Sequence, residues 1–396
     1  MDVRACGGIE GSNLAAGRGT QRLKGRLKLR KWLFAGPLAA LAGCAPPGPA
    51  LVPQVAGAPP LLAVAITALP GWESDNSAQA LAAFVLGCKA MALMPGDQVL
   101  GGIGLSYQAA GQAGLWQNTC AVGKNVPPGD DYAARSFFEN YFNAYQIDAS
   151  ALITGYFEPE FPGSKNLTPG YQVPLYAKPA DPDLASMTRA EIDSGGLYRQ
   201  APVTAYLADP VDAFMLQIQG SGRILLPDGN ILRVGFDGQN GQPYTPIGRI
   251  LVQNGDLAAN GVSYQTISAW LNAHPDQAQS IMEQNARYVF MRPLGPLPDD
   301  QGAPGAMGVP VTAGRTLAVD QADIPLGMPV YVATTNPVTN APLDRLTIAQ
   351  DTGGGIHGAQ AADIFFGAGP DAEQVAGRMQ QQGTLYLLLP KPAPTS

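Results

Sequence analysis

Histidine is almost missing from this chain of 396 residues, which holds only His274 and His357, and cysteine is scarce at four. With two histidines and no Cys-x-x-Cys spacing, no set of residues completes a metal site, and neither a metal nor another cofactor is expected. Charge is thin as well. Only 14% of residues are charged against 46% hydrophobic, a balance that excludes a disordered chain and predicts a buried core. Internal repeats, a phosphate-binding Gly-rich loop and a basic aromatic surface are all absent, so nucleic acid is not an expected partner. Glycine and proline are plentiful, at 48 and 36 residues, which favours short strands and turns over long helices.

The first 43 residues carry eight Lys/Arg against two acids, which leaves sixteen against twenty-nine for the remainder, a body of charge about −13. The basic block Arg22–Lys31 leads into the apolar run Trp32–Gly43. That run is too short to span a bilayer and suits the apolar centre of a signal peptide. Leu41-Ala-Gly-Cys44 follows, and it resembles the processing site of bacterial lipoproteins, whose Cys is lipidated. An ordinary signal peptide with an unrelated Cys is the alternative. Residues 1–20 read as an extension upstream of the true start.

Cys6 leaves with such a leader, so Cys88 and Cys120 remain as an even pair in an oxidising compartment. A disulfide closing that loop is expected, with two buried free thiols as the alternative. Residues 44–60 are proline-rich and aperiodic, an extended tether. Apolar spacing predicts helices over 76–94 and 132–145, and a strand over 151–160. From about 159 to 297 the texture changes to short strands, turns and small helices, which reads as an inserted β domain. Within it, 213–219 reads as a strand whose alternation packs one face and turns Gln217, Gln219 and Ser221 to a groove that hydrogen-bonds sugars. A polar face turned to solvent is the competing reading.

Near the C-terminus, Leu346–Gly367 holds two apolar runs, each with one carboxylate, joined by a Gly-rich loop with four glycines in 353–358. Those glycines let the backbone turn or approach something closely. Asp363 precedes Ile364, Phe365 and Phe366, which desolvate it, raise its pKa and suit it to general acid work. A carboxylate that caps a loop or pairs with Arg is the alternative. Asp320 and Asp351 lie at strand ends in the same region. Three chemistries compete. Asp193-Ser-Gly and Asp351-Thr-Gly match the signature of aspartic hydrolases, although residues 188–193 are polar and helix-like. A non-catalytic, glycan-binding envelope lipoprotein is the second, and cleavage of a glycosidic bond the third.

Five ordered motifs decide among them: Thr154-Gly-Tyr-Phe-Glu-Pro159, Gln217–Arg223, Gly241–Arg249, Gly308–Asp320 and Gln350–Gly367. Together they resemble the membrane-bound lytic murein transglycosylase A (MltA) family, with its C-terminal three-Asp domain. The resemblance implies a mainly β fold with some helices. A double-psi β-barrel would form from residues 61–158 and 298–396, with a second β-barrel over 159–297 and a glycan groove between them. It implies cleavage of the β-1,4 bond between N-acetylmuramic acid and N-acetylglucosamine in peptidoglycan, leaving 1,6-anhydromuramoyl ends. Asp363 would be the sole acid and base, with Asp320 and Asp351 in support and Thr154, Tyr156, Glu158, Gln217, Gln219 and Ser221 among the glycan contacts. The family often carries Lys where this chain has His357, which predicts a weaker or pH-dependent cationic contact. The expected partners are glycan strands, the membrane through a lipid anchor and cell-wall enzyme complexes, and the expected location is the periplasmic face of the outer membrane.

The leader predicts that Cys44→Ser releases the protein from membranes. Fractionation of that variant, with mass analysis of the native N-terminus, checks it. Unchanged membrane association together with an unmodified native Cys44 would overturn the anchor.

Overall fold

The computed structural model describes residues 55–392. The leader, Cys44 and most of the tether lie outside the described residues. Among those described, no helix is long and apolar enough to cross a membrane.

In chain order the strands are β1 (Leu61–Val64), β2 (Phe142–Ile147), β3 (Ala151–Glu158), β4 (Glu160–Ser164), β5 (Val173–Tyr176), β6 (Val203–Leu207), β7 (Ser221–Leu225) and β8 (Ile231–Gln239). They continue as β9 (Val289–Pro293), β10 (Gln301–Pro304), β11 (Pro310–Thr312), β12 (Thr316–Val319), β13 (Pro329–Thr335), β14 (Pro342–Asp351), β15 (Ala361–Ala368) and β16 (Gln380–Pro390). The fold is mainly β, with helices packed around two large sheets and β10 and β11 forming a separate antiparallel pair.

The first sheet runs β1-β2-β16-β13-β14-β12-β15-β3, and a further pairing of β16 with β3 joins its eighth strand back to its third, so the six strands from β16 to β3 form a ring. Strand β16 makes this possible by dividing its length: Gln380–Gly383 pair with β3, Thr384–Leu387 with β13 and Tyr386–Pro390 with β2. Two of the ring's ladders, β12 with β14 and β15 with β3, are parallel. The interior is filled by branched and aliphatic side chains, among them Ile153, Leu317, Val330, Ile348 and Ile364, all fully buried.

A helix at Ser77–Met91 packs on the ring. Asn76 starts it by accepting a hydrogen bond from the Gln79 amide, and Ala80, Leu81, Phe84, Cys88 and Met91 form its buried face at helical spacing. Phe84 sits in a cluster of rings with Trp116, Phe137, Phe138 and Phe142, centroids 5.8–6.2 Å away. The second helix stops at Tyr141 rather than running to 145. Residues 142–147 instead ladder onto β1 and β16, and these non-local bonds outweigh the local helical spacing.

The second sheet lies within 160–293, ordered β5-β6-β4-β7-β8-β9. Its pairings leave β5 and β9 as separate edges rather than closing the barrel that the resemblance implied. Four helices, Pro210–Gln219, Ile247–Asn254, Tyr264–Ala273 and Pro275–Met282, supply a large share of its core. The first of these corrects the strand expected over 213–219. Asp209 caps it, Pro210 occupies its first turn and Gly220 ends it in the left-handed conformation at φ 81°. The apolar-amide alternation is overridden by these start and stop signals, and burial of Val211, Phe214, Met215 and Gln217 fixes the helix.

Chain passage between the sheets is pinned at Glu158. Its carboxylate is fully buried, paired with Arg223 Nε at 3.2 Å and Arg233 Nη2 at 3.1 Å, and accepts from the Ala303 amide at 2.8 Å. Arg223 also reaches Glu160 at 3.7 Å, so two carboxylates face the two guanidinium groups, and the amide fills the remaining lone pair of Glu158, which is what a buried ion pair requires.

Cys88 and Cys120 are joined across 32 positions of sequence. Replacing both with Ser should lower the unfolding free energy by about 3–4 kcal/mol, the chain entropy of a loop this long. Urea titration under oxidising conditions reads this as a lower midpoint. An unchanged midpoint, or two thiols that label without reductant in the denatured native protein, would contradict it.

Candidate active site

Strand β12 is short, but its central position, Ala318, has a carboxylate on each side. Asp351 of β14 is its partner on one edge, reached through a register shift, and Asp363 of β15 is its partner on the other. Thr154 of β3 stands opposite Asp363 in turn. Laterally paired residues point to the same face, so Thr154, Asp363, Ala318 and Asp351 form one row. The two acids are two strand spacings apart, about 9–10 Å between their backbones. The methyl of Ala318 leaves the space between them open.

This row forms one wall of a groove of about 720 Å³, and the opposite wall comes from the second sheet and its loops. Of the expected contacts, Thr154, Tyr156, Gln217 and Gln219 line it, together with Asp351 and Asp363. Glu158 does not, because its Oε2 is taken by the two arginines and its Oε1 by the Ala303 amide; it is corrected from glycan contact to structural anchor. Ser221 is also removed from the groove wall, as a buried residue starting β7 just after the Gly220 helix end. Asp320 is likewise not on the wall. It accepts from the Gly358 amide at 2.7 Å and the Ala322 amide at 3.0 Å, and so ties down the end of the Gly-rich loop. Asp193, the other acid of an Asp-Ser/Thr-Gly pair, lines a different cleft from Asp351, which removes the shared-proton geometry of an aspartic hydrolase.

The two groove acids have opposite surroundings. Asp351 is saturated: Oδ1 accepts from the Ala306 and Thr352 amides, both at 2.9 Å, and Oδ2 accepts from the Tyr156 hydroxyl at 2.9 Å. Burial raises its pKa, and these donors pull the other way. Asp363 Oδ1 is shut off from solvent with no hydrogen-bond partner. Burial pushes the Asp363 carboxyl up to about 7; the nearby Thr154 hydroxyl offsets part of that rise and the Asp351 charge adds to it. That hydroxyl donates to the Ala362 carbonyl at 3.3 Å, so it leaves Oδ1 unbonded. The side chain is accessible from the groove, and its protonated form is substantially populated near neutrality.

The Gly-rich loop serves close approach. A Cβ at Gly354 would lie 2.2 Å from Arg287 Nη1, and one at Gly355 would lie 3.3 Å from Tyr244 Cε1. Only at Gly358, with φ 79°, does the backbone conformation itself favour glycine. Arg287 is held by its Nε bond to the Gln242 carbonyl, and its guanidinium lies 5.9 Å from the Tyr244 ring. Burial raises the Tyr244 pKa, and the Asp363 charge contributes. Arg287, Arg249 and Tyr244 were missed as site residues from the sequence, although Tyr244 and Arg249 fall inside one of its motifs. Arg287 has no local signal. Exposed His357 also lines the groove, so the cationic lining does not depend on that position alone.

The sequence matches the MltA specific insert domain over residues 152–292 and the 3D domain over residues 315–389. Membrane-bound lytic murein transglycosylase A of Escherichia coli (strain K12) is 32% identical over 247 residues, which cover 60% of this chain and 66% of the relative. A crystal structure of MltA from Neisseria gonorrhoeae is 30% identical, with a TM-score of 0.72, and the match covers 89% of this chain and 97% of that one. A structure of Escherichia coli MltA with bound chitohexaose is 25% identical, with a TM-score of 0.63, covering 87% and 95% respectively. The inserted body and the C-terminal domain therefore belong to a shared architecture, and this chain belongs to the MltA family.

Proposed function

We propose that this chain is a lytic transglycosylase acting on the glycan strands of peptidoglycan. It cleaves the β-1,4 bond between N-acetylmuramic acid and N-acetylglucosamine and leaves a 1,6-anhydromuramoyl end. The observation that carries this reading is the contrast between Asp363, unbonded and half-protonated near neutrality on the groove wall, and Asp351, fully hydrogen-bonded across the row. The groove suits a polysaccharide, and the chitohexaose bound by the Escherichia coli relative is a β-1,4-linked chain of N-acetylglucosamine.

One carboxyl group suffices for this chemistry. Protonated Asp363 gives its proton to the glycosidic oxygen as the bond to the muramic C1 breaks, and the N-acetylglucosamine leaves with a free 4-hydroxyl. Asp363, now a carboxylate, takes the proton of the muramic 6-hydroxyl as that oxygen attacks C1. The bond lost to the leaving sugar is replaced by one within the ring, and no water enters. Because the nucleophile is part of the substrate, the second catalytic carboxylate of ordinary glycosidases is unnecessary. Asp351 holds Tyr156 and the Ala306 turn in place, and Asp320 holds the Gly-rich loop. Thr154, Tyr156, Gln217 and Gln219 contact glycan.

We assign residues 61–158 and 298–396 to one domain, a double-psi β-barrel, and 159–297 to the insert. The ring closed by β16 and its two parallel ladders support this. Lipidation at Cys44 on the periplasmic face of the outer membrane is the location that best fits the leader, and the curated relative is named as membrane-bound.

Asp363→Asn keeps the shape of the side chain but cannot exchange the proton, so turnover of purified sacculi should fall by at least ~10²-fold with glycan binding retained. The wild-type rate should decline as pH rises through about 7, where the acid form is lost. Mass analysis of the muropeptides checks the product, which is one water lighter than the hydrolysed one. Near wild-type formation of anhydro ends by the variant would transfer the role to Asp351 or Asp320.

Stability should move the other way. Because the folded pKa of Asp363 lies above its ordinary value of 3.8, its ionisation opposes folding from about pH 4 upward, fully so above about 7. Asp363→Asn should therefore raise stability by up to about 4 kcal/mol at pH 8 and leave it unchanged below pH 4. Thermal melts at the two pH values test this; equal melting temperatures at pH 8 would show that Asp363 carries no such strain.

A further inference from the structure

A second cleft, of about 1080 Å³, lies wholly within the inserted body, and the mechanism above does not use it. It runs beside the helix Pro210–Gln219 toward β5 and β6, and it meets the catalytic groove at Arg189 and Gln217, which line both. Resting on the reading of the groove as a peptidoglycan site, we propose that this cleft binds the peptide stem carried by the muramic acid, with Asp193 receiving a free ammonium of that stem.

Gln217 gives the first argument. It is 3% exposed and its Oε1 has no hydrogen-bond partner, so a buried acceptor at the junction of the two cavities lacks a donor. A peptide branch leaving the glycan at that point brings backbone N–H groups. Arg189 is a wall and not a competitor for that role: it donates to the Asn285 and Arg287 carbonyls and stacks on Phe214 at 4.7 Å and Tyr288 at 5.2 Å.

Charge gives the second. Asp193, Lys165 and Arg199 line the cleft, and none of them makes an ion pair with another described residue. Solvent reaches Asp193, yet the cleft walls displace enough water to push its pKa up to about 6, against the pull of Arg189 and with a small push from Glu283. A cation arriving there recovers the lost solvation. Asp209 is not available, because its carboxylate caps the helix by accepting from the Val211 amide at 2.7 Å. N-acetylglucosamine carries no formal charge and the lactyl carboxylate of muramic acid is taken up in the amide to the stem, so the sugars of an intact strand leave all three groups unmatched, whereas a stem peptide presents free carboxylates and, on a dibasic residue, a free ammonium.

Length gives the third. The cleft follows the helix from Gln217 back to Asp209, eight residues or about 12 Å at 1.5 Å per residue. An extended peptide of four residues spans about 13–14 Å. Apolar side chains along the way, including Val173, Phe214, Leu271 and Met282, suit its small aliphatic groups.

The test compares stem-bearing glycan strands with the same strands stripped by an amidase. The wild-type protein should show a kcat/KM about 5-fold higher on the stem-bearing strands, and Asp193→Asn should lose most of that advantage while its rate on stripped strands stays unchanged. Equal wild-type kcat/KM on both substrates overturns the proposal, and so does an equal loss by Asp193→Asn on both, which would make the cleft a further glycan site. A readout independent of turnover is binding of a synthetic stem tetrapeptide, followed by chemical shifts, against its side-chain N-acetylated form. Tighter binding of the free amine by about 5-fold is expected, and indistinguishable binding overturns the proposal. If the amine is preferred but no anhydro ends form from either strand, the transglycosylase reading fails and the cleft assignment stands.

Discussion

Everything at the site follows from β15 being laddered between β3 and β12. A strand pairs on two edges, and each edge fixes what lies beside every residue. The antiparallel edge to β12 puts Asp363 beside Ala318, and the parallel edge to β3 puts it beside Thr154. Since side chains alternate faces, a slip of one residue on either edge would turn Asp363 into the packed interior and bring Ile364 or Ala362 to the groove. Burial of Ile364 at one side and access of Asp363 at the other are one constraint seen from two faces. Closure of the ring by β16 then removes the freedom to slip.

The groove has its other wall on a separate sheet, and the passage between the two sheets is where its width is set. Glu158 fixes the end of β3 to Arg223 and Arg233 of β7 and β8, and to the returning chain at Ala303. Nearby, Gln219 accepts from the Phe157 amide at 3.1 Å, so the helix end that presents Gln217 is fastened to the strand that presents Thr154 and Tyr156. Removing one member of the buried set would strand a charge in a dry environment, a far larger penalty than loss of an exposed pair.

Two aspartates in one row have different environments because the fold treats their oxygens differently. Three donors converge on Asp351 and hold it as a fixed acceptor, while Asp363 has an oxygen without a donor. Proton transfer needs a carboxyl whose acid and base forms are close in free energy, and burial without compensation provides that. The same lack of compensation weakens the folded state at higher pH, a common tension between stability and a reactive site.

Local patterns determined a good part of this protein. The helix after Asn76 was readable from spacing, the two strands around the Gly-rich loop from their apolar runs, and a desolvated Asp363 from its place in an apolar strand. The motifs also carried the family. Tertiary structure decided the rest, for reasons that spacing does not encode. Glu158 sits in a motif that suggested ligand contact, yet arginines 65 and 75 positions away take one of its oxygens and the Ala303 amide takes the other. Gln217 and Gln219 alternate as in a strand, but packing against the second sheet and a glycine stop made that stretch a helix. Arg287 reaches the Gly-rich loop only because Gly354 lacks a side chain. The saturation of Asp351 and the exposure of Asp363 to the groove depend on register among four strands drawn from both ends of the folded chain, and register is a property of pairing rather than of any single segment.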